Sequence, residues 1–255
     1  ATTLYNMPIN LIGVSIATAA FPQLTERIGA GRKDLFIKEL RSAMRLIIWF
    51  SLPIAVMMFF CRGYIVSIID RGGNGTIAML LGIFCIAIFL RSIFHIMSRS
   101  FYAFQDTKTP LIVSLITLAI AIGFEVWFVF GLHTGAAGIA WGQVIWAALE
   151  LGCLIALILR RVPDLFDRNF WLAIGRMAIA TGLMGIITYA MVRTVNLQFE
   201  NQNMLMVLFP LGCIGIVSVL VYLGLSKVLK IEEADPILAK LGQIISGRFL
   251  IRGKQ

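Results

Sequence analysis

Four ionisable side chains stand where an apolar sequence tolerates them least. Arg91, His95, Glu125 and Glu150 each lie inside a long run of Leu, Ile, Val, Ala and Phe. A charge at the centre of a bilayer costs at least about 2.5–3.5 kcal/mol on insertion scales, so such a group faces a cavity or a partner. Arg91 and His95 are four residues apart and therefore share one face of a helix. That pair suits an anionic group of a substrate. Glu125 or Glu150 suits a coupling cation or a proton. The competing reading is an internal ion pair, such as Arg91 with Glu125, that locks helices together. Glu150, nearer one end of its run, has a third role open to it, snorkelling to the interface.

Other chemistries find no residues to carry them. There is no G-x-x-x-x-G-K-[ST] loop, so ATP hydrolysis is not expected of this chain. The two histidines, His95 and His133, do not form a zinc motif. Cys61, Cys85, Cys153 and Cys213 lie in or at the ends of apolar runs without metal-ligand spacing. No nucleophile sits beside a base with a third orienting group. The expectation is a transporter, not an enzyme, without a resident cofactor.

The elements that position these groups follow from composition. The chain is 59% hydrophobic and 14% charged, against about one half and one quarter in an ordinary soluble domain. Seven apolar runs appear, at about 4–23, 41–61, 76–101, 110–131, 134–159, 170–192 and 203–226. Each approaches the ~20 residues that cross a bilayer as a helix. Lipid cannot satisfy an open backbone, and the alternation of a β-barrel is absent, so the fold expected is an all-α transmembrane bundle.

Charge sets the orientation. The first gap holds Arg27, Arg32, Lys33, Lys38, Arg41 and Arg45; the second holds Arg62 and Arg71. The third holds Arg99 and Lys108, and the fourth, around His133, has no Lys or Arg. The fifth holds Arg160, Arg161, Arg168 and Arg176; the sixth holds Arg193. Lys227, Lys230, Lys240, Arg248, Arg252 and Lys254 follow the last run. Eighteen of 22 basic residues thus fall on one side, three on the other, and Arg91 within a span. The positive-inside rule makes the rich side cytoplasmic, with the start of the chain outside and its end inside. The net charge of +9 then serves topology and attraction to anionic membrane lipids, and nucleic acid is not an expected partner.

Residues 1–229 are expected to form the bundle and 230–255 a cytoplasmic tail. Asp235 and Pro236 read as N-cap and first helical residue of an interfacial amphipathic helix carrying Ile237, Leu238, Leu241, Ile244 and Ile245. Asp34 is expected to cap a helix that runs on into the second span. Pro53 should bend that span. Gly135, Gly138 and Gly142 offer close helix approach in the fifth. The chain opens at Ala1 without Met, which reads as a fragment or half of a longer protein.

Two stretches carry a family resemblance. One runs from Leu4-Tyr5-Asn6-Met7-Pro8 through Gly13-Val14-Ser15-Ile16-Ala17-Thr18 to Phe21-Pro22-Gln23-Leu24; the other is Phe101-Tyr102-Ala103-Phe104-Gln105-Asp106-Thr107-Lys108-Thr109-Pro110. Together they resemble the lipid II flippase family, MurJ/MviN, of the multidrug/oligosaccharidyl-lipid/polysaccharide exporter superfamily. The resemblance covers the whole chain as the C-terminal half of a fourteen-span protein, its eighth to fourteenth spans. It implies a missing N-terminal seven-span half, the bacterial plasma membrane, and translocation of undecaprenyl-pyrophosphate-linked peptidoglycan precursor by alternating access. It implies a basic central cavity. Phe101, Tyr102, Asp106, Lys108, Thr109 and Pro110 would be the family's motif loop. A sodium site associated with the eleventh and twelfth spans would fall on those holding Glu125 and Glu150. Members usually carry Arg before the Leu of the first stretch, engaging pyrophosphate. Thr3 stands there instead, with a hydroxyl and no charge. Thr3 keeps open an exporter of another polysaccharide lipid or a small molecule, and a non-transporting scaffold is a further alternative.

Overall fold

A computed structural model describes residues 2–69, 74–195, 204–235 and 239. Every regular element among them is helical. Seven of these helices are long and apolar enough to cross a membrane. The first span is composite: α1 (Thr2–Pro8), a π-helical segment (Ile9–Val14) and α2 (Ser15–Gly29). Then follow α3 (Lys33–Ile69), α4 (Gly75–Ala103), α5 (Lys108–Val126) with a π-helical end (Trp127–Gly131), α6 (Ala136–Arg161), α7 (Arg168–Val195) and α8 (Met204–Val228).

Local chemistry explains the boundaries. The Asn74 side chain accepts hydrogen bonds from the Thr76 and Ile77 amides, at 3.0 and 3.3 Å, and so starts α4. Asp106 does the same for α5, accepting from the Thr109 amide at 3.0 Å and its hydroxyl at 2.7 Å. The expectation for Asp34 is corrected: α3 begins one residue earlier, and Asp34 lies in its first turn. There its carboxylate still faces the positive end of the helix dipole. The α3 helix is continuous for 37 residues through Pro53. The expected tail helix from Asp235 onward falls almost wholly outside the described residues.

Helices α3 and α4 form the centre. The first span lies against both, α5 and α6 extend from α4, and α7 and α8 extend from α3. The main core joins Phe36, Leu40, Ile47, Ile96, Met97, Phe101, Leu154, Ile158, Phe170 and Met177. Buried hydroxyls add directional contacts where lipid offers no hydrophobic drive for helix association. The Trp49 indole donates to Ser226 Oγ at 3.2 Å, the Tyr222 hydroxyl to the Trp49 carbonyl at 2.9 Å, and Thr188 meets Ser218 at 2.8 Å. Two glycines set close approaches. A Cβ on Gly13 would fall 2.8 Å from Ser92 Cα, which fastens the first span to α4. A Cβ on Gly142 would collide with Glu125 Cγ, which fastens α6 to α5.

Candidate functional site

The intramembrane charges sort into two groups. Arg91 on α4 meets Glu150 on α6, Nη1 to Oε2 at 2.7 Å. The Ser114 hydroxyl of α5 donates to the other Glu150 oxygen. Glu150 is 1% exposed, so its charge is carried by these two donors. The Arg91 guanidinium also lies 3.9 Å above the Trp146 ring, a desolvated cation–π contact. Of the sequence alternatives, an internal pair holds for Arg91, but its partner is Glu150 and not Glu125. Helix packing decides this, because α4 lies against α6 along its length while α5 touches α4 little.

Glu125 forms the second group. Its Oε1 accepts from Gln143 Nε2 at 3.0 Å, beside the Gly142 contact. Carboxylate and amide oxygens are the right donors for a hard cation, and two of them fall short of a full oxygen shell. Among the described residues no three His, Cys, Asp or Glu side chains converge to hold a metal. Glu125 and Glu150 therefore stand in separate polar pairs.

His95 is half-buried one turn beyond Arg91, with its ring against Phe94. It makes no hydrogen bond among the described residues. Thr3 is exposed on α1. The motif loop is a brace: Phe101 is fully buried, and Arg161 at the end of α6 pairs with Asp106 and covers the Phe101 ring at 5.2 Å. The hydrogen bonds from Thr109, amide and then hydroxyl, hold the Asp106 carboxyl down at about 2, with Arg161 adding to them. Pro110 is buried in the first turn of α5, Tyr102 and Thr109 are half-buried, and Lys108 is exposed.

The same end of the bundle carries two further clamps from α3. Arg41 donates to the Leu165 carbonyl at 3.0 Å, the Asp164 carbonyl at 2.8 Å and the Asp167 carboxylate at 2.7 Å. Arg45 pairs with Glu232 at 3.1 Å and with Glu233. These contacts border a cavity of about 730 Å3 that Lys38, Arg176 and Lys230 also line. An apolar groove of about 630 Å3 lies elsewhere, between α3, α4 and α7, walled by Leu52, Phe59, Phe89, Gly185 and Tyr189.

Two features escaped the sequence reading. The first is a polar stripe on the first span. Thr3, Asn6, Asn10, Ser15 and Thr18 are all exposed, interleaved with Met7 and Leu11. The spacing from Asn10 to Ser15 is five residues, off a regular helical face. The π segment between them takes up the extra residue and restores the alignment. The second is Arg99. Counted as loop charge from the sequence, it sits inside α4, one turn beyond His95 and two beyond Arg91. Its Nη2 donates to Thr18 Oγ1 at 3.1 Å, and its guanidinium lies 5.4 Å from the Phe21 ring. The basic ridge of α4 thus joins the polar stripe of the first span.

Known proteins share this arrangement of helices. A family model described as lipid II flippase MurJ matches residues 1–243. The probable lipid II flippase MurJ of Thermotoga maritima is 26% identical over 248 residues, covering 94% of this chain and 47% of that protein. That of Bdellovibrio bacteriovorus is 22% identical over 243 residues, covering 93% and 45%. A solved structure of lipid II flippase MurJ in an inward closed conformation superposes with a TM-score of 0.66 at 20% identity, over 89% of this chain and 45% of that one. The chain spans about half the length of the relatives it matches.

Proposed function

This multi-pass membrane chain belongs to the lipid II flippase MurJ family, and on that footing we propose that it is the C-terminal seven-span bundle of a flippase for undecaprenyl-pyrophosphate-linked peptidoglycan precursor. It works with an N-terminal bundle by alternating access in the bacterial plasma membrane. The observation that carries the proposal is the exposed stripe of Thr3, Asn6, Asn10, Ser15 and Thr18 on a membrane-spanning helix. Amide and hydroxyl groups do not face hydrocarbon without a partner, so this face meets a cavity or another bundle.

The chemistry follows from what the cargo needs. A diphosphate and its sugars lose their water on entering a membrane, and neutral hydrogen-bonding groups replace it. Arg99, on the α4 ridge, adds positive charge beside that wall. The polyprenyl chain needs no polar cover and fits the apolar groove between α3, α4 and α7. Glu125 is the carboxylate proposed for a coupling cation or proton, and with Gln143 it provides only part of a cation's oxygen shell.

Depletion of the natural protein in cells without a second flippase tests the proposal. Lipid II on the outer leaflet, read with a membrane-impermeant hydrolase, should fall sharply. Undiminished outer-leaflet lipid II would overturn it. Thr3 favours a second reading, an exporter of a different lipid-linked glycan. Selective binding of such a glycan in place of lipid II would establish that reading.

A further inference from the structure

The α4 ridge carries three basic side chains, and their surroundings make them unequal. The Arg91 charge is spent within the chain, because Glu150 accepts from it at 2.7 Å and Trp146 covers its face. His95 stands between the two arginines with its ring against Phe94. Arg99 has no carboxylate within salt-bridge distance among the described residues. Its described polar partner is the neutral Thr18 hydroxyl, which itself lies exposed on the stripe.

A half-buried guanidinium without a counter-charge is costly, and a ligand anion removes that cost. The Phe21 ring restricts the guanidinium from one side, and Thr18 fixes the direction of one N–H. An arginine offers five donors in a planar fork, so further N–H groups remain for a phosphate oxygen.

We infer that Arg99, held by Thr18 and Phe21, binds the pyrophosphate of the lipid-linked cargo from the α4 side of the cavity. The inference rests on the proposed function and adds to it the residue that reads the diphosphate. Arg91 is then a positioning residue that ties α4 to α6, and it does not meet the cargo.

The test uses the natural protein carrying this chain, purified in detergent, with two probes: lipid II and the corresponding polyprenyl monophosphate glycolipid. Wild type should prefer the pyrophosphate lipid. Arg99→Gln should weaken lipid II binding about tenfold and flatten the preference between the two probes. Thr18→Val should lower the same preference by a smaller factor, with yield and melting temperature unchanged. Arg99→Lys separates recognition from anchoring: an interfacial anchor accepts Lys in full, whereas a fork on pyrophosphate loses several-fold affinity. Unchanged preference in Arg99→Gln, or full affinity in Arg99→Lys, overturns the role of Arg99 while leaving the proposed function in place. Wild type that binds neither lipid overturns both.

Discussion

Glu150 concentrates the energetics of the interior. It is almost fully buried, and its two oxygens are taken by Arg91 and Ser114. Removing one member of a buried pair strands the other charge, at about 3–5 kcal/mol. Glu150→Gln should therefore lower the detergent melting temperature strongly. Arg91→Met combined with Glu150→Leu should recover much of the loss, because neither charge is then stranded. The residue types made a pair legible in the sequence, but three-dimensional packing chose the partner. Asp106 offers a check outside the membrane. Its carboxyl is held at about 2, below the ordinary value of about 3.9, so ionised Asp106 stabilises the folded state. That contribution is complete above about pH 4 and is lost as pH falls through about 2. The stability difference between wild type and Asp106→Asn should be constant from pH 7 to 5 and shrink on acidification toward pH 2. A difference that stays flat across that window would show that the Thr109 and Arg161 contacts do not act through the charge.

Helices meet here through positions that only a hydrogen can occupy. The contact of Gly13 with the Ser92 backbone leaves no flexible side chain to move aside. Overpacking of this kind costs about 1–3 kcal/mol. Gly13→Ala should destabilise by that order in thermal melts, and Gly29→Ala, where nothing lies within 4 Å, should not. Span existence was legible because hydropathy accumulates over some twenty residues. The polar face of the first span was not, because its π segment breaks the 3.6-residue period that exposes a stripe to inspection. Arg99 was missed for a related reason. A basic residue near the end of an apolar run has the same composition whether it marks a loop or lines a helix. The Thr18 contact is what separates the two.

At the scale of the molecule, the exposed surface is divided by chemistry. Helix α5 presents Leu111, Ile112, Leu115, Ile116 and Ile120, a face suited to acyl chains. The first span presents amides and hydroxyls. The orientation proposed from the charges, with the start of the chain outside, predicts that His133→Cys in a background without other cysteines reacts with an impermeant maleimide on intact cells, and that Lys33→Cys reacts only after lysis. The opposite pattern would invert the orientation proposed from the charges. The division of faces yields the sharper prediction. Asn6 and Asn10 make no side-chain hydrogen bonds among the described residues, so the fold does not depend on their amides. Replacing both by Leu should leave the melting temperature unchanged or slightly raised, since an apolar side chain is no worse for the bundle itself. Under the proposed function, the same double substitution should cut outer-leaflet lipid II at least tenfold, because the sugars and diphosphate of such a cargo would lose the groups that stand in for water. A structural face behaves the other way, with stability falling and transport following it down. Loss of transport at full stability is the signature of a wall that the cargo touches, and transport retained in the double variant would mean that this stripe is covered by the other bundle and never meets the cargo.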